Sequence, residues 1–386
     1  MSEAPPEPVN LTGVRRGLMI GSGLVLFAFI TCHLVNLALG LHSVALMDQW
    51  RWALSGLWTG PVMRIVLAVA LLVHFISALV SIYLRNTLRI PAYDMAQLVA
   101  GILIVPLLAP HVFGIMAYPA LGLVATYDLV LRFFWTLSPV DGLRQVVLLV
   151  VVWLHGAIGV YTWLRSRDGS ARTMRVFYPF VIVVPVIALL GYVEAGRQVI
   201  PLAEGGTGYV MAGDPNAAGP KVSPETASQI VTAAKRNGRV AGQVSLVLLV
   251  LAFAARAVRI AAQKNGQVQV NYLGRRKAAF AGQSGQTLLE MARLNDIPHA
   301  NVCRGRGRCG TCRVRVLKGE EHLPPPDARE RKVLEHWNAG PTERLACQLQ
   351  PQDGYLEVER VVQPDYSDLD YSHTRARGGH VAGESS

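Results

Sequence analysis

Long apolar stretches alternate with short polar segments over the first two thirds of the chain. A helix needs about 20 mostly apolar residues to cross a bilayer. Six stretches meet that length, at residues 17–41, 61–84, 95–118, 143–164, 178–200 and 240–262. Pro106 and Pro110 are compatible with a kinked membrane helix, because neighbouring helices can satisfy the freed carbonyls. The pattern predicts an all-α bundle of six transmembrane helices over residues 17–263.

The pattern changes after residue 263 to short alternating segments that are typical of an α+β domain. Strands are predicted at 267–272, 277–281, 313–317, 344–348 and 355–361. Helices are predicted at 287–295 and 328–336, the second after the Pro324–Pro326 stop. The domain is assigned to 264–365, and the polar ends at 1–16 and 366–386 are predicted to be disordered tails.

The formal net charge of +11 raises the question of a nucleic-acid partner. The basic residues are mostly arginines scattered over several segments, without a basic helix or an aromatic stacking platform, so no nucleic-acid binding is expected. Arginine and lysine favour the cytoplasmic side of membrane helices. Their larger share at 15–16, 85–89, 165–175 and 256–264 predicts that both termini and the C-terminal domain are cytoplasmic.

Four histidines lie inside predicted spans, one on each of the first four: His33, His74, His111 and His155. Ionisable groups are costly in a bilayer, so each is a functional candidate, although a hydrogen-bonded structural histidine is the plain alternative. At about 1.5 Å per residue, His33 and His111 both lie ~24 Å from the inner ends of their spans. His74 and His155 lie ~20 Å and ~18 Å from the outer ends of theirs. The four therefore form two pairs at two depths.

Two histidine pairs at two depths suit two b-type haems stacked across a membrane, because neutral imidazole is a good ligand for haem iron. The predicted axial ligands are His33 with His111, and His74 with His155. A porphyrin between helices also needs small neighbours, although small residues serve ordinary helix packing as well. Small residues follow three of the histidines by three or four positions: Ser77, Ala78, Gly114 and Gly159.

One histidine on each of four successive spans resembles the di-haem membrane subunits of fumarate reductases and succinate dehydrogenases. In that family the first and third histidines share one haem, and the second and fourth share the other. The resemblance implies a quinone site at one membrane face. It does not imply the flavoprotein partner of that family, because a different soluble domain is fused here.

Four cysteines lie in the C-terminal domain: Cys303, Cys309 and Cys312 in CRGRGRCGTC, and Cys347 in RLACQLQP. Three thiols in one glycine-rich loop and a distant fourth suit a [2Fe–2S] cluster. Structural zinc, the competing site for four cysteines, more often uses two close pairs. The C-x5-C-x2-C spacing resembles ferredoxins of the adrenodoxin and bacterial monooxygenase type, which implies a β-grasp fold and a [2Fe–2S] cluster on these cysteines.

The motifs CRGRGRCGTCRVRV, LPPPDARERKVLE and RLACQLQP follow a six-span domain. This order resembles the N-terminal region of membrane-anchored bacterial adenylate cyclases over residues 15–365. That family continues into a catalytic cyclase domain. About two dozen polar residues follow Val362, too few for such a domain, so nucleotide cyclisation is not expected.

We therefore expect a membrane protein that passes electrons between the cluster, two haems and the quinone pool, with quinone-linked oxidoreductase activity left open. The alternative is a redox- or quinone-sensing regulatory module for a separate or truncated adenylate cyclase output. A third hypothesis is a membrane protein with structural histidines and no haem. The expected partners are membrane lipid, quinone and a soluble electron donor or acceptor protein, and a homodimer is an open alternative. The expected location is the bacterial cytoplasmic membrane.

Overall fold

The computed structural model describes residues 11–165, 170–203, 216, 218–262, 266–274 and 277–365. It divides into two compact units. The first draws on the chain up to Tyr83, Ala92–Gly159 and Pro179–Phe253. The second draws on Leu84–Pro91, Val160–Tyr178 and the chain from Ala254 onward. The tail predicted at 366–386 lies outside the described residues, as do positions 1–10.

The long helices are confirmed. In chain order the helices before the C-terminal domain are α1 (Leu11–Ala38), α2 (Val44–Arg51), α3 (Leu57–Thr59), α4 (Pro61–Leu84), α5 (Ala92–Ala120), α6 (Tyr127–Arg132), α7 (Pro139–Leu164), α8 (Ser170–Ala203) and α9 (Pro224–Ala262). Six of them, α1, α4, α5, α7, α8 and α9, are long and apolar enough to cross a membrane. Many of their exposed side chains are large and apolar, such as Val62, Ile65 and Val250. Such a surface suits lipid rather than water.

Five of these helices, all except α4, begin before the predicted spans. Helix α1 begins at Leu11, so the disordered tail predicted at 1–16 is wrong for positions 11–16, where Arg15 donates a 2.6 Å hydrogen bond to Ser81 Oγ. Helix α9 begins at Pro224 rather than near 240. Proline is favoured at the first helical position, and alanine, lysine and arginine in the next turns favour helix. Hydropathy marks only the apolar part of such helices.

Glycines let helices of the first unit approach closely. Gly191 of α8 lies against the Leu37 carbonyl of α1, and a Cβ placed on Gly238 of α9 would meet Pro110 Cα of α5 at 2.9 Å. The buried Trp153 of α7 donates its indole N–H to a carbonyl of α8 at 2.8 Å. Close small-residue contacts and interhelical hydrogen bonds drive helix association where lipid, not water, surrounds the helices.

The second unit contains a five-stranded mixed sheet in the order β2-β1-β5-β3-β4. The strands are β1 (Gln267–Leu273), β2 (Ala278–Gln283), β3 (Arg313–Lys318), β4 (Glu343–Leu345) and β5 (Gly354–Arg360). Strand β1 pairs antiparallel with β2 and parallel with β5, whereas β3 runs antiparallel to both β4 and β5. Helices α10 (Leu288–Leu294) and α11 (Ala328–His336) complete the domain. The α+β ferredoxin-type fold predicted from the sequence is confirmed.

Local sequence explains where these elements begin and end. Thr287 and Glu290 form a reciprocal capping box at the start of α10, which satisfies two helix N–H groups. Strand β4 ends at Leu345, short of the predicted 344–348. The N–H groups of Gln348 and Leu349 both donate to the Leu345 carbonyl, at 2.8 and 2.9 Å. This turn moves Cys347 out of the strand and beside the cluster loop.

Candidate functional site

The cluster motif forms a buried loop between α10 and β3, and Cys347 comes to it from the turn after β4. Each of the four cysteines is at most 5% exposed. The thiols form two pairs, because Cys303 hydrogen-bonds Cys309 and Cys312 hydrogen-bonds Cys347. The Cys303 N–H also donates to Cys309 Sγ at 3.3 Å. Two thiolates for each of two irons is the donor set of a [2Fe–2S] cluster, so the residues fit this group.

The backbone of this loop depends on positive φ angles. Gly305, Gly307 and Gly310 have φ of 79°, 58° and 70°, which glycine adopts without a steric penalty. A Cβ on Gly310 would overlap the Trp337 indole. Successive residues with such angles form concave surfaces of N–H groups that favour anions. The conformation therefore suits the negative charge of a cluster and its thiolates.

Two polar side chains next to the sulfurs were missed from the sequence. Thr311 Oγ1 accepts a hydrogen bond from the Val302 N–H at 3.0 Å, so its hydroxyl is free to donate to Cys309 Sγ, also at 3.0 Å. Gln348 Nε2 donates to Cys347 Sγ at 3.3 Å. Hydrogen bonds to cluster sulfurs tune the reduction potential. Both residues adjoin a cysteine ligand candidate in sequence, and that position was the available signal.

Burial shifts the pKa of Cys309 and of His299 in the ferredoxin interior. It raises the pKa of the Cys309 thiol well above its usual range, so the thiolate needs a nearby positive charge such as iron. It also lowers the pKa of His299 to about 4. The neutral His299 ring packs edge-on against Tyr272, with ring centres 5.8 Å apart.

The first unit brings the four candidate histidines together in two pairs. The ring centres of His33 and His111 are 6.4 Å apart, and those of His74 and His155 are 6.0 Å apart. These are the two pairs that the depth estimate gave. The ring planes differ by 56° in the first pair and by 84° in the second.

The rings of His74 and His155 are held in the same way. His74 Nδ1 lies 3.2 Å from the Met19 carbonyl oxygen of α1, and 3.3 Å from Ser22 Oγ. His155 Nδ1 lies 2.9 Å from the Gln97 carbonyl oxygen of α5. A backbone carbonyl only accepts, so Nδ1 carries the proton and Nε2 is left with a free lone pair. We call His74 and His155 the carbonyl-anchored pair.

The rings of His33 and His111 have different surroundings. His33 stacks on Phe29 and on Tyr127, and the Tyr127 hydroxyl lies 3.5 Å from its Nδ1. Among the described residues His111 Nδ1 is buried without a hydrogen-bond partner. A Cβ on Gly114, one turn after His111, would meet no atom within 4 Å. We call His33 and His111 the tyrosine-side pair.

The short helices α2 and α6, which lie between spans, position Tyr127 beside the tyrosine-side pair. Asp48 of α2 accepts the N–H groups of Tyr127 and Asp128 at 2.8 and 3.2 Å, which fixes the start of α6. Burial raises the pKa of Asp48 although Arg51 lies beside it, and it raises the pKa of Tyr127 to about 12. The Tyr127 hydroxyl therefore stays protonated at neutral pH. The hydrophobic pattern had no means of finding Tyr127, which lies between two spans.

The small residues expected beside the histidines play mixed roles. A Cβ on Gly114 would face open space, whereas a Cβ on Gly159 would lie 3.0 Å from the side-chain amide of Gln97. Gly23 and Gly101, which were not singled out from the sequence, contact the rings of His74 and His155. The recurrence of glycine ten positions before His33 and again before His111 was a signal in the sequence.

Comparison with known proteins identifies the C-terminal domain. The family described as "2Fe-2S iron-sulfur cluster binding domain" matches residues 271–352. The 2Fe-2S ferredoxin-5 of Aquifex aeolicus is 36% identical over 72 residues, which cover 18% of this chain and 75% of that protein. The 2Fe-2S ferredoxin of Pseudomonas aeruginosa is 35% identical over 83 residues, which cover 21% of this chain and 74% of that protein.

Among solved structures, the crystal structure of the ISC-like [2Fe-2S] ferredoxin from Pseudomonas putida is similar at 28% identity, with a TM-score of 0.23. The match covers 24% of this chain and 89% of that one. The family match decides between the two four-cysteine hypotheses in favour of the iron–sulfur cluster over zinc. A domain of this kind transfers electrons. Through residues 271–352 the chain therefore belongs to the family of [2Fe–2S] ferredoxins.

Proposed function

We propose that the chain is a membrane electron-transfer protein that links a [2Fe–2S] cluster to two haems b and to the quinone pool. Cys303, Cys309, Cys312 and Cys347 hold the cluster. Each histidine pair supplies the two axial ligands of one haem, whose iron provides one-electron redox chemistry. The quinone exchanges electrons at one membrane face, and a soluble protein is the partner of the cluster.

The spacing of the histidine rings carries the proposal. Imidazole nitrogens bind a transition metal at about 2 Å, and each nitrogen lies about 1 Å from its own ring centre, so two imidazoles on one ion have ring centres roughly 6 Å apart. The two pairs measure 6.0 and 6.4 Å. Two histidine pairs with this spacing, on helices long enough to cross a membrane, are hard to explain as packing alone, since buried imidazoles are costly there.

The hydrogen bonds of the carbonyl-anchored pair support the same role. Histidines that bind metals commonly donate their second ring N–H to a carbonyl or carboxylate, which fixes the tautomer and the ring orientation. His74 and His155 each place Nδ1 against a backbone carbonyl. Both Nε2 atoms are then suited to a metal between the rings.

Contacts inside the second unit suggest which pair exchanges electrons with the cluster. Arg306 of the cluster loop donates to the Thr162 carbonyl at 3.2 Å, and Arg165 donates to the carbonyl of Val302, the residue before Cys303. Thr162 lies on α7, two turns after His155. We therefore propose that the carbonyl-anchored pair exchanges electrons with the cluster, and call the Arg306–Thr162 and Arg165–Val302 contacts the arginine clamp.

We also propose the setting of the protein. The arginine bias of the segments between the spans supports a bacterial cytoplasmic membrane location, with the ferredoxin domain and both termini in the cytoplasm. The resemblance to the N-terminal region of membrane-anchored adenylate cyclases supports a second candidate, a redox or quinone sensor for a separate output domain. Sustained turnover with a reductant and a soluble quinone favours the carrier; its absence in a fully loaded protein favours the sensor.

The test is an anaerobic preparation in detergent, with haem and iron assays and with optical and EPR spectra before and after reduction. We expect two haems b per chain and one reduced [2Fe–2S] signal. A cluster signal without haem overturns the haem assignment and leaves a membrane-tethered ferredoxin. Haem without the cluster signal overturns the assignment of the four cysteines.

A further inference from the structure

The histidine-bearing helices are two copies of one structural unit. In each copy a long helix leads to a short helix capped by a hydroxyl side chain, Ser43 for α2 and Thr126 for α6. A five-residue π-helix follows directly, Trp52–Gly56 in the first copy and Phe133–Leu137 in the second. A second long helix then begins with proline: α4 in the first copy, after the three-residue helix α3, and α7 in the second copy, after Ser138.

Glycine and histidine recur in the two copies. On the first helix, Gly23 and His33 of copy one correspond to Gly101 and His111 of copy two with one constant offset. On the second helix, His74 lies 13 residues after Pro61 and His155 lies 16 residues after Pro139, so these two histidines correspond to within one helical turn. Each pair therefore joins a histidine to its own counterpart, which is the property of a two-fold arrangement.

Within each copy the first helix seats the histidine of the second helix. A Cβ on Gly23 would lie 3.0 Å from His74 Cε1 and 3.3 Å from its Nδ1. A Cβ on Gly101 would lie 3.0 Å from His155 Cε1 and 3.3 Å from its Nδ1. In both copies the carbonyl that faces Nδ1 belongs to the residue one turn before the glycine. Glycine and carbonyl together define where the ring lies and how it is turned.

We infer that Gly23 and Gly101 are positioning residues, each of which fixes the ring plane of one ligand in the carbonyl-anchored pair. The inference rests on the proposed haem function. A methyl group 3.0 Å from the ring forces the ring or the helix to give way by a few tenths of an ångström. The ring then turns out of the plane in which Nδ1 meets the carbonyl. Residues on two helices thereby control the same haem. Among the described glycines, none contacts the ring of His33 or His111 in this way.

Other glycines on the same helix do not share this geometry. A Cβ on Gly21, two positions before Gly23, would meet no atom within 4 Å. Gly21→Ala and Gly23→Ala remove the same backbone freedom and raise helix propensity by the same amount. Gly21→Ala is thus a matched control that differs only in the contact with the histidine ring.

The test compares Gly23→Ala, Gly101→Ala and Gly21→Ala by EPR of the ferric haems and by redox titration. The low-spin signal of a bis-imidazole haem is most anisotropic when the ring planes are perpendicular, and the carbonyl-anchored rings stand at 84°. We expect Gly23→Ala and Gly101→Ala each to make the signal of this one haem less anisotropic and to shift its midpoint potential. The other haem keeps its signal and confirms that each variant folds.

The outcomes separate the inference from the proposed function. Wild-type protein with two haems, and both variants unchanged or no different from Gly21→Ala, overturns the inference and leaves the haem assignment intact. Equal disturbance of both haems overturns it too, because it indicates a general loss of helix packing. Wild-type protein without haem overturns the proposed function and, with it, the inference.

Discussion

The two histidine pairs have nearly the same ring spacing, but one is held by backbone atoms and the other by side chains. The carbonyl-anchored pair is held by backbone carbonyls and by glycines of two long helices. The tyrosine-side pair is held by side chains, with Tyr127 supplied by the short helix α6 and one Nδ1 left without a partner among the described residues. Backbone atoms of a packed helix change little with sequence, whereas side-chain contacts can be altered one at a time. The first site is therefore fixed by the fold and the second is open to tuning.

The largest expected effect comes from removing one ligand of each pair. His74→Ala and His111→Ala should each lower the number of low-spin haems from two per chain to one, because an iron with a single axial imidazole is no longer low-spin. Optical haem assays and EPR identify which haem is lost. His42→Ala, at an exposed histidine just after α1, should keep both haems. Loss of both haems from each variant would contradict two separate sites and point to one cooperative assembly.

A smaller effect is expected from the arginine clamp. Arg306→Ala removes a hydrogen bond of the arginine clamp. Charge-assisted hydrogen bonds contribute roughly 1.5–3 kcal/mol, so we expect the haem of the carbonyl-anchored pair to be reduced from the cluster roughly ten- to hundred-fold more slowly. Reduction of the tyrosine-side haem should be slowed by the same factor. Stopped-flow absorption measures both rates after anaerobic mixing with a reductant.

A control separates the clamp from a general loss of positive charge. Arg331→Ala removes an arginine from α11, where its guanidinium contacts the Pro326 carbonyl, and it should leave both rates unchanged. Slowing by Arg331→Ala to the same extent would attribute the effect to docking of the external reductant. Reduction of the tyrosine-side haem before the other would reverse the assigned order.

The sequence predicted the structure well where the surrounding lipid or a bound metal imposes the residue pattern. Twenty apolar residues in a row have few alternatives to a membrane helix, and four cysteines at ferredoxin spacing have few alternatives to a cluster. Helix rise alone was enough to pair the histidines by depth. The α+β domain followed from short alternating segments and from the Pro324–Pro326 stop.

The remainder depended on tertiary contacts that no local pattern contains. The polar start of α9 at Pro224 lies outside the hydrophobic signal. The short helices and π-helices between spans are too brief for periodicity to reveal, so Tyr127 was not predicted as a neighbour of His33. The strand predicted through Cys347 ends early because the chain must turn to bring this thiol to Cys312. Gly23 and Gly101 recur in the sequence at the same distance before a histidine, but their contacts with the rings of His74 and His155 are visible only in the structure.

The smallest expected effect distinguishes the tuning of the tyrosine-side pair. Tyr127→Phe keeps the stacked ring and removes the hydroxyl that lies 3.5 Å from His33 Nδ1. A neutral hydrogen bond contributes about 1 kcal/mol or less, which corresponds to a potential shift of less than about 50 mV for one electron. The shift should affect only the tyrosine-side haem, and the carbonyl-anchored haem should keep its potential. Tyr192→Phe, which removes another buried hydroxyl on α8, is the control in a redox titration followed at both haem bands. An equal shift of both haems in Tyr127→Phe would remove the distinction between a site fixed by backbone and a site tuned by side chains.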